Sequence, residues 1–233
     1  MPFPTTRWSL LTQATLHGGD AERAALADFC QRYRTPIVGF IARLRPGRSD
    51  AEDLAQSFFM RLFEESLLRR ADRTRGRFRS FLVGALVRHL AAEADRAGAA
   101  KLGGGVAPLR FDELNESATP EVAPEVLRTF DREWATDLVA RVRAATQVNC
   151  VSRHASGATV LMEFLPGAAH TPTYEEAAAR LEWKVARLKT EIFRMREEFR
   201  ATVRAEVALT VDSPEDVDAE LAYLHGVLAD PVA

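Results

Sequence analysis

Apolar side chains along this chain recur at three- and four-residue intervals, and β-branched alternation is scarce, so the pattern predicts helices throughout. A short first helix is expected over 6–14, ended near His17, Gly18 and Gly19. Asp20 then caps a helix through Leu26, Phe29, Cys30 and Tyr33. Pro36, suited to a first helical turn, opens another through Ile37, Phe40, Ile41 and Leu44. Pro46 and Gly47 break that one. Ser49 and Glu52 have capping-box spacing and start a helix whose stripe is Leu54, Phe58 and Leu62. A long helix is predicted over 78–97, with Phe81, Leu82, Leu86, Val87 and Leu90 as apolar positions.

The periodicity stops at GAAKLGGGVAP, rich in glycine, and at the acidic stretch after it, which has little to bury. It resumes with Leu127, Phe130, Trp134, Leu138, Val139 and Val142, then with 159–164 up to a break at Pro166 and Gly167. Thr173 and Glu176 form a second capping box. Beyond it Ala178, Leu181, Val185, Leu188 and Ile192 fall where two short helices need small or apolar residues to cross, the spacing of a helix-turn-helix. Glu182 stands where such turns often carry glycine. Ser213, Pro214, Glu215 and Asp216 are ordered as an N-cap, first helical position and acidic first turn. They predict a last helix with Val217, Leu221, Leu224 and Leu228 on one face. The reading is an all-α chain of two helical domains joined by a long linker. Its segments are an N-terminal helical segment (1–19), a first domain (20–98), a flexible acidic linker (99–124), a helix-turn-helix domain (125–204) and a C-terminal helical extension (205–233).

Composition changes this picture little, and charge changes it more. Hydrophobic content of 47% is ample for packed cores, and no apolar run approaches the roughly 20 residues of a membrane span. The N-terminus lacks the layout of a secretion signal, and Cys30 and Cys150 are too isolated for a disulfide framework or a zinc motif, so a reducing cytoplasm is expected. Net charge is −2, but the signs are segregated. From 68 to 101 there are nine basic residues against three acidic, and from 111 to 137 two against eight. From 180 to 204 there are eight basic against four acidic, and from 205 to 220 none against six. Phosphates feel the local sign within a Debye length of about 8–10 Å, so the two basic blocks are candidate nucleic-acid surfaces.

In the helix-turn-helix, Lys184, Arg187, Lys189 and Thr190 occupy the N-terminal half of the second helix, the half that meets base edges in the major groove. Arginine can pair bidentately with guanine and threonine can meet a thymine methyl. Arg194 and Arg196 are better placed for backbone phosphate, which positions without specifying. In the first basic block Arg75, Arg77 and Arg79 lead into a helix carrying Arg88, His89 and Arg96, a set suited to phosphates and unpaired bases. No nucleophile motif, phosphate-binding glycine loop or paired metal-ligand spacing is present; an enzyme, a metal and a cofactor are not expected.

Three segments carry a family resemblance. SDAEDLAQSFFMRLFEE, RGRFRSFLVGALVRHLAAEADRAGA and TYEEAAARLEWKVARLKTEIFRMRE resemble, in order and separation, segments of bacterial RNA polymerase sigma factors of the extracytoplasmic-function group. PTTRWSLL and the tail EVALTVDSPEDVDAELAYL are similar to a subgroup with longer chains and an extra C-terminal helix. The resemblance implies a protein that binds the clamp of core RNA polymerase through the first segment, the −10 promoter element through the second and the −35 element through the third. It places Asp53 and Gln56 on matched clamp-docking positions, with Phe59, Arg61 and Phe63 beside them; the two aromatics suit either core or contact. Arg75, Arg77, Arg79, Arg88, His89 and Arg96 would serve the −10 element, and Lys184, Arg187, Lys189, Thr190, Arg194 and Arg196 the −35 element. Core polymerase and promoter DNA are the implied partners, with an anti-sigma or other regulatory protein left open. His89, Glu93 and Arg96 stand where the family often has Asn, Asp and Arg, so a promoter sequence does not transfer. The acidic C-terminal extension either completes the last domain's core or folds back to compete with DNA.

Overall fold

The computed structural model describes residues 19–47, 49–64, 78–101, 122–211 and 213–230, and every regular element among them is a helix. In order these are α1 (Gly19–Leu44), α2 (Ala51–Glu64), α3 (Phe78–Lys101), α4 (Pro124–Arg153), α5 (Ala158–Met162), α6 (Tyr174–Leu181), α7 (Val185–Ala208) and α8 (Asp216–Ala229). None is long and apolar enough to cross a membrane. The helix expected at 6–14, Arg75, Arg77 and the linker from 102 to 121 lie outside the described residues. The contacts divide the chain inside α4, between Trp134 and Ala135. The first turns of α4, expected to open the helix-turn-helix domain, therefore belong with the N-terminal unit.

In the N-terminal unit α1 runs unbroken through Pro36, where two helices were predicted. A proline inside a helix costs about 3 kcal/mol through its missing N–H and ring clash. Here Phe29, Tyr33, Ile37, Phe40 and Ile41 form one stripe continuing across it, all nearly fully buried. At roughly 1.5–3 kcal/mol each, their burial outweighs the break. Phe29 is the hub: its ring stacks on Tyr33 at 4.8 Å and meets Phe59 and Phe78 edge-on at 5.9 Å. The helix α2 buries the expected Leu54, Phe58 and Leu62. It begins at Ala51, and the Glu52 carboxylate meets Arg34 on α1 at 2.7 Å. The helix α3 extends past the predicted end at 97, into the segment read as linker.

The start of α4 is fastened to this unit. Phe130 packs edge-on against Phe40 at 5.5 Å, and Arg43 pairs with Glu133. Arg79, at the first turn of α3, is 4% exposed. Its Nε donates to Asp131 at 2.7 Å and its guanidinium lies 4.5 Å from the Trp134 ring centre.

The C-terminal unit is built from the rest of α4 and helices α5 to α8. The capping box at the start of α6 is present in both directions: the Glu176 N–H donates to the Thr173 hydroxyl at 3.2 Å, and the Thr173 N–H to the Glu176 carboxylate at 2.9 Å. The helix ends in a Schellman motif, with Trp183 N–H bonded to the Ala178 carbonyl and Glu182 N–H to that of Ala179. Glu182 takes the left-handed position at φ 55°, the only non-glycine among the described residues with positive φ. A left-handed conformation costs a side-chain-bearing residue about 1–3 kcal/mol. Glu182→Gly is accordingly expected to stabilise this unit by about 1 kcal/mol, after allowing for the freer unfolded chain. A thermal or urea midpoint that stays level or falls would mean the Glu182 side chain contributes more than the strain removes.

The last helix differs in phase from its prediction. Val217 and Leu224 are buried as expected, but Glu220 and Val227 complete the inward face, while Leu228 is exposed. It packs on α7, and Arg204 of that helix pairs with Asp218, whose carboxyl this hydrogen bond holds below its usual range. Its first turn is also looser than an N-cap at Ser213 predicts: the Ser213 hydroxyl donates to the Asp216 carboxylate at 2.9 Å, and helix geometry starts at Asp216.

Candidate nucleic-acid interface

The recognition unit is α6, a turn at 182–184, and α7. Four buried side chains, Leu188, Ile192, Met195 and Phe199, form the inner seam of α7. Several contacts set its angle. Tyr174 stacks on Phe164 at 5.5 Å with the rings 4° from parallel, and Trp183 meets His154 edge-on at 5.2 Å. A Cβ at Gly157 would come within 3.3 Å of Leu181 and 3.5 Å of Trp183, so this glycine lets the turn approach α5. Arg153 pairs with Glu198 and His154 with Glu191 (2.9 Å), tying the end of α4 to α7. Arg180 forks onto Glu163 with both contacts at 2.7 Å, which holds that carboxyl below its ordinary range.

These contacts redistribute the predicted roles. Lys184, Arg187, Lys189, Thr190 and Arg194 are exposed. Arg187 lies over the Trp183 ring at 4.1 Å and Lys189 over Tyr174 at 5.1 Å. Both cations are thus oriented by an aromatic neighbour, in contacts worth about 0.5–1 kcal/mol at exposed sites. Arg194 pairs loosely with Glu191, 3.7 Å away. Arg196 departs from its predicted phosphate role: it is half-buried and its Nε donates to the Phe164 carbonyl at 3.1 Å, an internal strut. Sequence reading passed over Phe193, which is 66% exposed on the outer face of α7.

The second candidate surface fares differently. Of the six residues assigned to it, Arg75 and Arg77 are outside the described residues. Arg79 is buried on Asp131 and is structural. His89 is 1% exposed and is structural too. The Ser57 hydroxyl donates to the Leu54 carbonyl at 3.0 Å, so its oxygen accepts from His89 Nε2–H at 2.9 Å. Nδ1, on the other side of the ring, is buried with no hydrogen-bond partner. Desolvation pushes the His89 pKa down to about 4, opposed in part by Glu93. Arg88 is half-buried, and desolvation lowers its pKa. Arg96 is exposed and pairs with Glu93 at 2.8 Å. A charged track is therefore carried here, among the described residues, mainly by Arg96.

On α2 the outward face consists of Asp53, Gln56, Met60 and Glu64, all exposed. Phe59 is buried against Phe29, and Phe63 is half-buried and stacks on Phe59 at 6.1 Å. Phe59 is core, whereas Phe63 keeps part of its ring in solvent, and Arg61 is half-buried. The apolar member of the free face is Met60, 54% exposed, which the sequence reading missed. An adaptable apolar side chain ringed by polar groups fits a docking face.

Among the described residues no group of His, Cys, Asp and Glu could hold a metal ion. An open cavity beside α5 has its charged groups committed, Arg143 to the carbonyls of Leu165 and Pro166 at 3.1 and 2.7 Å and Glu163 to Arg180. No protein-family model, curated protein or solved structure matches this chain.

Proposed function

We propose that this chain is a promoter-specificity subunit that joins core RNA polymerase in the bacterial cytoplasm and directs it to promoters through its helix-turn-helix. The observation that carries the reading is the recognition unit. A reciprocally capped α6, a left-handed turn and a basic outer face on α7 form the geometry that lays a second helix into a major groove. The outward face of α2 supports the polymerase half of the reading. Asp53 and Gln56, on positions that resemble the family's docking motif, are exposed there beside Met60. The α8 packing and the Arg204–Asp218 pair favour a structural role for the extension over one that competes with DNA. The proposed work is binding and positioning, and the bond-making chemistry of transcription belongs to the polymerase.

The decisive experiment is capture of bacterial core polymerase by the full chain. Wild type is expected to bind, and Asp53→Ala with Gln56→Ala to weaken binding at least tenfold while the circular dichroism and melting temperature stay unchanged. Loss of polymerase binding without loss of fold supports the reading; equal affinity in single and double variants removes it. A second reading, a helix-turn-helix regulator acting without polymerase, is favoured by the burial of Arg79 and His89. It predicts specific DNA binding by the chain with no polymerase capture at all.

A further inference from the structure

The outer line of α7 is not uniformly polar. Ala186, Thr190 and Phe193 follow one another at helical spacing, opposite the seam of Leu188, Ile192 and Met195, and all three are exposed. The Thr190 hydroxyl donates to the Ala186 carbonyl at 3.1 Å, so the group this residue offers outward is its methyl. Phe193 next to it leaves two-thirds of its surface in water, an apolar ring that burial against a partner would stabilise. Cations flank the line on both sides, Arg187 and Arg194 along one edge and Lys189 along the other. Arg187 and Lys189 are steadied by Trp183 and Tyr174. The line ends at Glu197, which pairs with Arg200.

An apolar strip with cations on both edges suits a surface that is apolar in the middle and anionic at both rims. The major groove of duplex DNA has that character where thymines follow one another, because the 5-methyl group is the apolar feature of its base edges. From Ala186 to Phe193 the rise is about 10 Å, close to three base-pair steps. We infer that Ala186, Thr190 and Phe193 read the 5-methyl groups of consecutive thymines, with Phe193 as the main specificity determinant. The inference rests on the proposed DNA-reading role of the same helix and names the base chemistry it selects. Arg187, stacked on Trp183, then works at the edge of the strip, on a flanking base or a phosphate.

Uracil in place of thymine removes the methyl and keeps the hydrogen-bonding edge, which makes the test direct. Duplexes are selected from a random pool by the full chain, alone and with bacterial core polymerase, and rebuilt with deoxyuridine at every thymine. The expected loss of affinity is about three- to five-fold per contacted methyl, so tenfold or more for the strip. Phe193→Ala, at an exposed position, is expected to weaken binding to the thymine duplex and to narrow the gap between the two duplexes by at least the roughly three- to five-fold of one methyl. Selected duplexes held equally in thymine and uracil form would overturn the inference while leaving the helix-turn-helix as a DNA reader. Discrimination undiminished in Phe193→Ala, with polymerase capture lost instead, would also overturn it by making Phe193 a protein contact. If no sequence were enriched, the DNA-reading role itself would fall and the inference with it.

Discussion

Asp131→Ala is expected to destabilise the N-terminal unit by about 3–5 kcal/mol, the usual cost of removing one partner from a buried ion pair. The pair qualifies because the side chains of Arg79 and Asp131 are 4% and 10% exposed and meet at 2.7 Å. Removing this carboxylate takes a charged partner from a guanidinium that is 4% exposed and lies beside Trp134. A typical domain has only 5–15 kcal/mol of stability, so the loss is a large fraction of the whole. Replacing both partners with apolar residues of similar bulk, Arg79→Met with Asp131→Leu, is expected to recover most of it. Buried pairs contribute little net stability once the desolvation of both ions is counted. Hydrogen exchange of the α3 amides measures the effect unit by unit, which a global melt of a two-unit chain does not. A loss below about 1 kcal/mol for Asp131→Ala would show that the guanidinium is compensated without this carboxylate and that the pair is not what holds α3 to α4.

What the sequence reveals and what it hides divides by range. The capping box at Thr173 and Glu176 is written within four residues and is present in both directions. The seam of Leu54, Phe58 and Leu62 follows from helical period alone and is buried as expected. Pro36 misleads because its local rule is true and loses to its neighbours along the helix: the same stripe of Phe29, Tyr33, Ile37 and Ile41 runs on both sides of it. Arg79 and His89 mislead for a different reason. Each sits in a basic block, and nothing near Arg79 announces that Asp131, 52 positions on, will take it out of solvent. Met60 and Phe193 were within reach of the pattern. Neither falls on the inward stripe of its helix, so helical period alone places each on an outward face. The face of α8 shows the limit of period counting: Leu221 and Leu228 compete with Glu220 and Val227 for one stripe, and tertiary packing chose the latter pair.

The acid response of the N-terminal unit is expected to be set by His89. Its ring is buried between α2 and α3, with Phe58 at 5.6 Å and the Ser57 hydroxyl accepting from Nε2–H. A second proton would go to Nδ1, which faces no acceptor. Desolvation opposes that proton most; Glu93 on the same helix and the Leu54 carbonyl favour it, while Arg61 on α2 and Arg96 on α3 oppose it. The folded pKa is therefore about 4 against 6.5 in the unfolded chain. Above pH 6.5 the residue is neutral in both states and its contribution is complete. Between pH 6.5 and 4 the unfolded chain takes up a proton that the folded chain refuses, so stability falls with falling pH. The full loss approaches about 3 kcal/mol at 1.36 kcal/mol per pH unit. Among the described residues the carboxylates with depressed pKa, Glu163, Glu176, Glu198 and Asp218, belong to the C-terminal unit and weaken the fold as pH falls through their own unfolded values of 4.5, 4.5, 4.5 and 3.8. The window from pH 6.5 to 5 thus isolates His89. Urea unfolding followed by exchange of the α2 and α3 amides is expected to show the slope there in wild type. His89→Gln, whose amide does not titrate, is expected to be less stable at pH 7 but flat across the window. A wild-type profile that is equally flat would mean that Nδ1 finds an acceptor when protonated, and the histidine would then be free to charge inside the fold.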